Sequence, residues 1–290
     1  MTSTAPMTLG ALCHEAASRL APAVGDSEAR WMVRIIMQEL KGYSRVDLAV
    51  KADAEVSDYL IGKVSGVVDR LLEGEPIQYI FGATEFYGLR LTVSPAVLIP
   101  RPETAELVDM IVRENRNRQD LRVLDVCTGS GCIAVALARN LPFSQVEAID
   151  LSDDALAVAR GNASTLKVKI GFRKADALAL PPETSPRFDI IVSNPPYVLD
   201  SERAGMSGNV LNHEPHMALF VPDSDPLRFY IAIAAYAMTA LTAGGRLYFE
   251  LNPLTAGSLA AALRKSGWSD VVVLPDTDGK RRFLCATRPD

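Results

Sequence analysis

The sequence predicts an α/β protein built on a mostly parallel sheet, with a small all-helical domain in front of it. Three observations carry this. After residue 120, near-continuous apolar runs alternate with helical runs, the pattern of strands covered on both faces. The first of those runs, Leu121–Val126, leads straight into the Gly-rich turn Cys127-Thr-Gly-Ser-Gly131 and then a helix, which puts a ligand site at the carboxyl end of a strand. Before residue 75 the apolar spacing is helical throughout.

Residues from about 7 to 74 read as helices. Asp26 or Ser27 caps one that carries Trp31, Met32, Ile35, Ile36 and Leu40, apolar on most sides and therefore expected inside. Trp31 and Trp268 are both expected as core aromatics. A turn at Lys41-Gly-Tyr-Ser separates this helix from another with Val56, Leu60, Val64, Val67/Val68 and Leu71, which stops at Gly74 and Pro76. From Gln78 to Ile99 the period changes. Tyr79–Phe81 and Phe86–Val93 read as two short strands of a hairpin. Pro100-Arg-Pro102 ends it, and a helix opens at Glu103 with Leu107, Met110 and Ile111. Strand-like runs follow at Leu121–Val126, Gln145–Asp150, Val168–Phe172, Phe188–Ser193 and Arg246–Leu251, with helices at Cys132–Asn140, Ser152–Ala163, Leu227–Leu241 and Leu254–Lys265. Val271–Leu274 and Arg282–Ala286, joined by Asp276-Thr-Asp-Gly279, read as an antiparallel pair at the sheet edge. The expected organisation is a helical domain at 1–75, a β-hairpin linker at 76–99 and the α/β domain at 100–290.

Composition narrows the function classes. The 290 residues, 48% hydrophobic and 22% charged, suit about two globular domains. A net charge of −5 is the wrong balance for a chain held to nucleic acid through phosphates, so a protein or small-molecule substrate is expected. The four cysteines, Cys13, Cys127, Cys132 and Cys285, form no disulfide framework. No apolar stretch reaches membrane-spanning length, and the first residues lack a signal-peptide pattern. A cytoplasmic monomer without membrane contact is the expectation.

The Gly-rich turn is not a phosphate-binding P-loop, because the required Lys-Ser/Thr is missing. Counted as Gly-x-Gly-x-x-Gly from Gly129, its third position is Ala134, which weakens a dinucleotide reading. The second strand ends in Asp150, about 20 residues on, where a carboxylate can accept both ribose hydroxyls of a nucleoside. A glycine turn and a ribose carboxylate without a phosphate clamp suit S-adenosyl-L-methionine. Cys127, Thr128, Gly129, Ser130 and Gly131 are its candidate ligands with Asp150, and Asp176 and Ala177 lie where the adenine edge would be met. Asp176 reads equally well as a solvated loop aspartate.

The strand Phe188–Ser193 ends in Asn194-Pro-Pro-Tyr197. Such a turn suits methylation of a planar nitrogen of low nucleophilicity. The Asn194 side-chain carbonyl and the Pro195 carbonyl each accept one N–H of an NH2 group, while the Tyr197 ring closes over the flat group. Proline sets these acceptors before substrate arrives, so the rate gain comes from positioning and preorganised polarity. Asn194 also borders the cofactor.

Taken together, these residues resemble the bacterial release-factor glutamine methyltransferases, the PrmC/HemK-type family. The resemblance runs through Glu75-Pro-Ile-Gln-Tyr79, Phe86-Tyr-Gly88, Leu98-Ile-Pro-Arg-Pro-Glu-Thr104, Asp125–Gly131 and Asp189–Tyr197. It continues through Glu214-Pro215, Ala218-Leu-Phe220, Gly244–Glu250 and Asp278-Gly-Lys280. It implies a Rossmann-like class I S-adenosylmethionine-dependent methyltransferase with a seven-stranded, mostly parallel sheet and a helical substrate-docking domain. It implies methylation of the Gly-Gly-Gln glutamine of peptide chain release factors at the side-chain amide N5, with S-adenosyl-L-homocysteine as product. Asn194 and Pro195 would orient the amide and Pro196 and Tyr197 wall its pocket, while Cys127–Gly131 would hold the methionine end, Asp150 the ribose and Ala177 the adenine. The same turn also serves adenine-N6 methyltransferases, so a ribosomal protein glutamine or adenine N6 is the alternative target.

Two positions depart from the family. Cys127 stands where most members have glycine, at a cost if the backbone there needs positive φ. Ala105 stands where many have glutamate. Arg101 and Glu103 are read two ways, as part of the cofactor pocket or as an interdomain ion pair. His213 and His216 are separated by Pro215 with no third ligand in sight, so no metal is expected; the segment is read as a loop over the substrate glutamine.

Overall fold

A computed structural model describes residues 6–185 and 187–290. The chain divides into two compact units, one running to Phe81 and including Gly208–His213, the other made of Gly82–Ser207 and Glu214–Asp290.

The first unit opens with helices α1 (Leu9–Val24), α2 (Asp26–Lys41), α3 (Arg45–Val50), α4 (Asp58–Leu72) and α5 (Ile77–Phe81). Thr8, Ser44 and Ser57 each accept a first-turn N–H of α1, α3 and α4, satisfying donors that a helix start leaves unpaired. Leu12, Leu20, Ile36, Met37, Val64 and Val68 form its core. Two expectations are corrected. Trp31 is 37% exposed. The buried stripe of α2 is Ala29, Val33, Ile36 and Met37, and Trp31, two positions from both Ala29 and Val33, points away from it. Tyr79–Phe81 are helical, not a strand: the Pro76 carbonyl accepts the N–H groups of Tyr79 and Ile80 and starts a turn that a short apolar run does not reveal.

The remaining elements, in order, are β1 (Ala83–Phe86), β2 (Leu89–Thr92), α6 (Pro102–Asn115), β3 (Arg122–Val126), α7 (Cys132–Asn140), β4 (Gln145–Asp150), α8 (Asp153–Thr165), β5 (Ile170–Lys174), β6 (Phe188–Ser193) and β7 (Val198–Leu199). Then come α9 (Gly208–His213, in the first unit), β8 (Phe220–Val221), α10 (Arg228–Ala240), β9 (Leu241–Glu250), α11 (Ala256–Lys265), β10 (Ser269–Pro275) and β11 (Arg281–Thr287). The hairpin is β1 with β2. It turns at Tyr87 and Gly88, whose φ values of 48° and 71° are both positive, as a tight hairpin turn of this twist requires.

Seven strands form one sheet in the order β10-β11-β9-β6-β3-β4-β5. Those from β9 to β5 are parallel, and β11 is antiparallel to both β9 and the edge strand β10, so the final pair lies where the sequence predicts. Alternate side chains serve opposite faces. Val123, Ile190, Val192 and Tyr248 pack with Leu107, Ile111, Ile133 and Leu137. Leu124, Ile191 and Phe249 pack with Tyr230, Ile233 and Leu259. Truncating a fully buried residue such as Leu124 to alanine would cost about 2–5 kcal/mol.

From β3 the chain moves outward through β4 and β5, then returns to β6 on the other side. That reversal opens a crevice at the carboxyl ends of the strands. The register sets what faces it. Val126 lies opposite both Ile149 and Ser193, Asp150 opposite Lys174, and Ser193 opposite Phe249. The next residues therefore stand in a row along one sheet edge: Glu250, Asn194, Cys127, Asp150 and Lys174.

Candidate active site

A cleft opens along that row and is lined by Cys127, Thr128, Gly129, Ser130, Asp150, Asp176, Ala177, Asn194 and Pro196 among others. Three residues predicted for the site do not line it: Gly131, Pro195 and Tyr197. The two glycines of the turn have different jobs. Gly129 has φ +55° and an added Cβ would meet no protein atom within 4 Å, so its backbone is open to a ligand. Gly131 has φ +79° and an added Cβ would sit 3.0 Å from the Cβ of Ala159; it lets the start of α7 approach α8. Cys127 has φ +61°, the left-handed region in which a non-glycine residue is uncommon and costs something.

Asp150 ends β4 with both oxygens engaged. Oδ2 accepts the Gly129 N–H at 2.8 Å and Oδ1 the Ser152 N–H at 3.0 Å. A carboxylate has about four acceptor sites, so capacity remains for ribose hydroxyls. Asp176 lines the cleft and is exposed, with Oδ1 accepting the Leu178 N–H at 2.9 Å. Asp125 lies fully buried beneath the turn. Its Oδ2 accepts from Thr128 Oγ1 at 2.5 Å and from the Ala134 N–H at 3.2 Å, while Oδ1 has no partner among the described residues. Burial pushes its carboxyl up to about 7.

On the other flank of the cleft, Asn194 is tied into a buried chain of hydrogen bonds. Its Nδ2 donates to Thr104 Oγ1 at 3.2 Å, Thr104 Oγ1 donates to Glu250 Oε2 at 2.7 Å, and Tyr197 OH donates to Glu250 Oε1 at 3.0 Å. Burial raises the Glu250 carboxyl above its ordinary value, against these hydrogen bonds and the nearby Arg282. Burial likewise raises the Tyr197 phenol, with the Glu250 charge adding to it. The Tyr197 main chain is held too, its N–H by Leu219 O at 3.1 Å and its carbonyl by Asn252 Nδ2 at 3.1 Å.

Arg101 settles between its two readings. It lines the cleft and pairs with Glu214, Nη2 to Oε1 at 2.5 Å, within one unit. Glu214 is 4% exposed and its Oε2 also accepts the Ile99 N–H at 3.2 Å. This anchors a segment of which Pro215, Met217 and Ala218 line the cleft. His216 meets Phe220 edge to face, with ring centroids 5.4 Å apart. Ala105, within α6, packs half-buried against the core.

The residues fit S-adenosyl-L-methionine. Asp150 has acceptor capacity for a ribose, and Ile149, Leu151, Ala177 and Phe229 supply apolar walls for a base. Gly129 leaves its backbone open, and α7 begins at the cleft with no side-chain cap, offering N–H groups to a carboxylate.

Residues 104–214 match the family described as Methyltransferase small domain, and residues 11–82 match the PrmC N-terminal domain. The release factor glutamine methyltransferase of Bacteroides thetaiotaomicron is 44% identical over 261 residues, 90% of this chain and 93% of that protein. That of Deinococcus radiodurans is 35% identical over 282 residues, 97% of this chain and 99% of that one. The chain belongs to the release factor glutamine methyltransferase family. It is a methyltransferase of the Rossmann-like class I fold with a helical N-terminal region, as the sequence predicts. A crystal structure of a methyltransferase from Pyrococcus furiosus shares the fold alone, with TM-score 0.51 and 18% identity over 78% of this chain and 100% of that one.

Thr104, Glu214 and Glu250 all stand in motifs that carry the resemblance, but the sequence alone gives none of them a role. Glu250 had a readable signal, an acidic residue ending the apolar run Leu247–Phe249 just as Asp150 ends β4. For Thr104 and Glu214 the motif was readable and the partner was not, since the partners lie 146 and 113 positions away.

Proposed function

We propose that this methyltransferase transfers the methyl group of S-adenosyl-L-methionine to the side-chain amide N5 of the glutamine in the Gly-Gly-Gln motif of peptide chain release factors. The observation that carries the reading is Asn194, held by Thr104 at the end of β6 beside the cofactor cleft. When bound, the cofactor supplies an electrophilic methyl on a sulfonium: the S–CH3 bond breaks as the N–CH3 bond forms, S-adenosyl-L-homocysteine leaves, and the proton displaced from the nitrogen passes to solvent. The rest is positioning. Asn194 Oδ1 and the Pro195 carbonyl accept the two hydrogens of the glutamine NH2, which turns the nitrogen lone pair toward the methyl. Tyr197 and Pro196 confine the planar amide. Preorganised acceptors of this kind are worth about 10²–10³ in rate. Cys127–Gly131 take the methionine end, Asp150 the ribose, and Asp176 with Ala177 the adenine edge.

The partner is the release factor itself, docked by the helical domain of residues 1–75 and the hairpin segment 76–99. A net charge of −5 supports a protein substrate over nucleic acid. Four free cysteines support a reducing, cytoplasmic setting, and a monomer suffices for the reaction. No helix among the described residues is long and apolar enough to cross a membrane. Transfer of labelled methyl from the cofactor to whole release factor, to a Gly-Gly-Gln peptide and to adenine-containing RNA tests the reading. The whole factor is expected to be the best acceptor; labelling of the RNA alone overturns it.

A further inference from the structure

The hydroxyl of Thr104 has one hydrogen, and the geometry decides where it goes. Glu250 is 1% exposed, and both of its oxygens accept, Oε1 from the Tyr197 hydroxyl and Oε2 from Thr104. The Thr104 hydrogen is therefore directed to Glu250 Oε2 at 2.7 Å, and the Thr104 oxygen can only accept from its other neighbour. That neighbour is Asn194, 3.2 Å away. Of the two ends of its side-chain amide, only Nδ2 carries hydrogens. An Asn194 turned over would set Oδ1 against Thr104 Oγ1 with no hydrogen between them.

We propose that Thr104 and Glu250 are positioning residues that fix which end of the Asn194 amide faces the substrate, presenting the carbonyl and withholding the NH2. The inference rests on the reading that Asn194 accepts a hydrogen from the glutamine amide, and it names what makes that acceptance possible. Asparagine alone is ambiguous: its two ends are nearly the same size, and the wrong one would set NH2 against NH2. The chain resolves this with a buried anchor on β9, a relay hydroxyl in the first turn of α6 and the acceptor after β6. The same carboxyl group takes the Tyr197 hydroxyl at 3.0 Å, so one buried side chain orients both the acceptor and the aromatic wall. Arg282 and Glu103 also act electrostatically on Glu250, and Arg282 is paired in turn with Asp276 at 3.3 Å. Thr104 itself is 2% exposed and does not need to touch substrate to act.

The test compares Thr104→Val and Thr104→Ser with the unaltered chain on whole release factor, with kcat, KM and cofactor affinity measured for each. Valine keeps the shape and removes both hydrogen bonds; serine keeps the hydroxyl and loses a methyl. The expected result is a kcat lowered about 10- to 100-fold by valine, the scale of one mispositioned polar group, with KM and cofactor affinity within about threefold and most of kcat restored by serine. Should the valine variant not fold, Thr104→Ala against Thr104→Ser makes the same comparison. Full activity in a folded variant lacking the hydroxyl overturns the relay, as does a serine variant no better than valine. An unaltered chain that binds cofactor but methylates no release factor overturns the functional reading, and the relay with it.

Discussion

Asp150 accepts the backbone N–H of Gly129 at 2.8 Å, so the carboxylate that ends β4 also holds the turn that follows β3. Removing it does two things at once, freeing the turn and deleting an acceptor. Asp150→Ala is expected to weaken cofactor binding about 10- to 100-fold, the loss of one to two charge-assisted hydrogen bonds. The residue is half-buried at the cleft, so the unfolding temperature of the cofactor-free protein should move little. Calorimetric titration beside thermal unfolding checks both.

The two glycines of the turn should fail in different ways. At Gly131 an added methyl meets Ala159 at 3.0 Å with φ at +79°, and Gly131→Ala is expected to cost about 1–3 kcal/mol of stability. At Gly129 the methyl meets no protein atom. There the stability cost is about 1 kcal/mol, and the larger effect falls on cofactor affinity because the side chain enters the cleft. Measuring stability and affinity for both variants separates the roles.

Cys127 occupies a left-handed backbone position at φ +61°. Cys127→Gly removes about 1 kcal/mol of strain and gives a similar amount back through the freer unfolded chain, so stability should stay within about 1 kcal/mol. Cys127→Val, β-branched, should lose about 2 kcal/mol or more. Denaturant unfolding of the two variants distinguishes them.

Asp125 makes stability depend on pH with a definite sign. Its carboxyl is raised from 3.8 to about 7 in the folded chain by burial, so the folded state holds the proton more tightly than the unfolded one. Its contribution is complete below the unfolded value and is lost as pH rises toward about 7, by up to about 1.4 kcal/mol per pH unit. Relative to Asp125→Asn, the cofactor-free chain should lose unfolding temperature steadily from pH 5 to 7 and level off above. A constant difference across that range would contradict the burial argument.

Much of this architecture was legible because each parallel strand is an apolar run that ends in a polar or small residue. Asp150 and Asn194 could be assigned to one crevice from those endings alone. Elements decided by few residues were not legible. α5 is five residues long and reads alike as strand or helix, and Trp31 lies on a helix whose apolar residues exceed the width of its buried stripe. In the candidate site, local motifs were readable, whereas the links from Asn194 through Thr104 to Glu250 join β6, α6 and β9 and follow from sheet order, which no single motif encodes. Gly131 illustrates the converse: a residue inside the motif whose conformation serves helix packing.

The most direct test of the central claim is tryptic mass spectrometry of whole release factor after incubation with the chain and S-adenosyl-L-methionine, with Asn194→Ala alongside. One added methyl on the Gly-Gly-Gln glutamine, lost in the variant while cofactor binding persists, is the expected result. No added methyl on that glutamine by a chain that binds cofactor, or an Asn194→Ala variant as active as the unaltered chain, would contradict it.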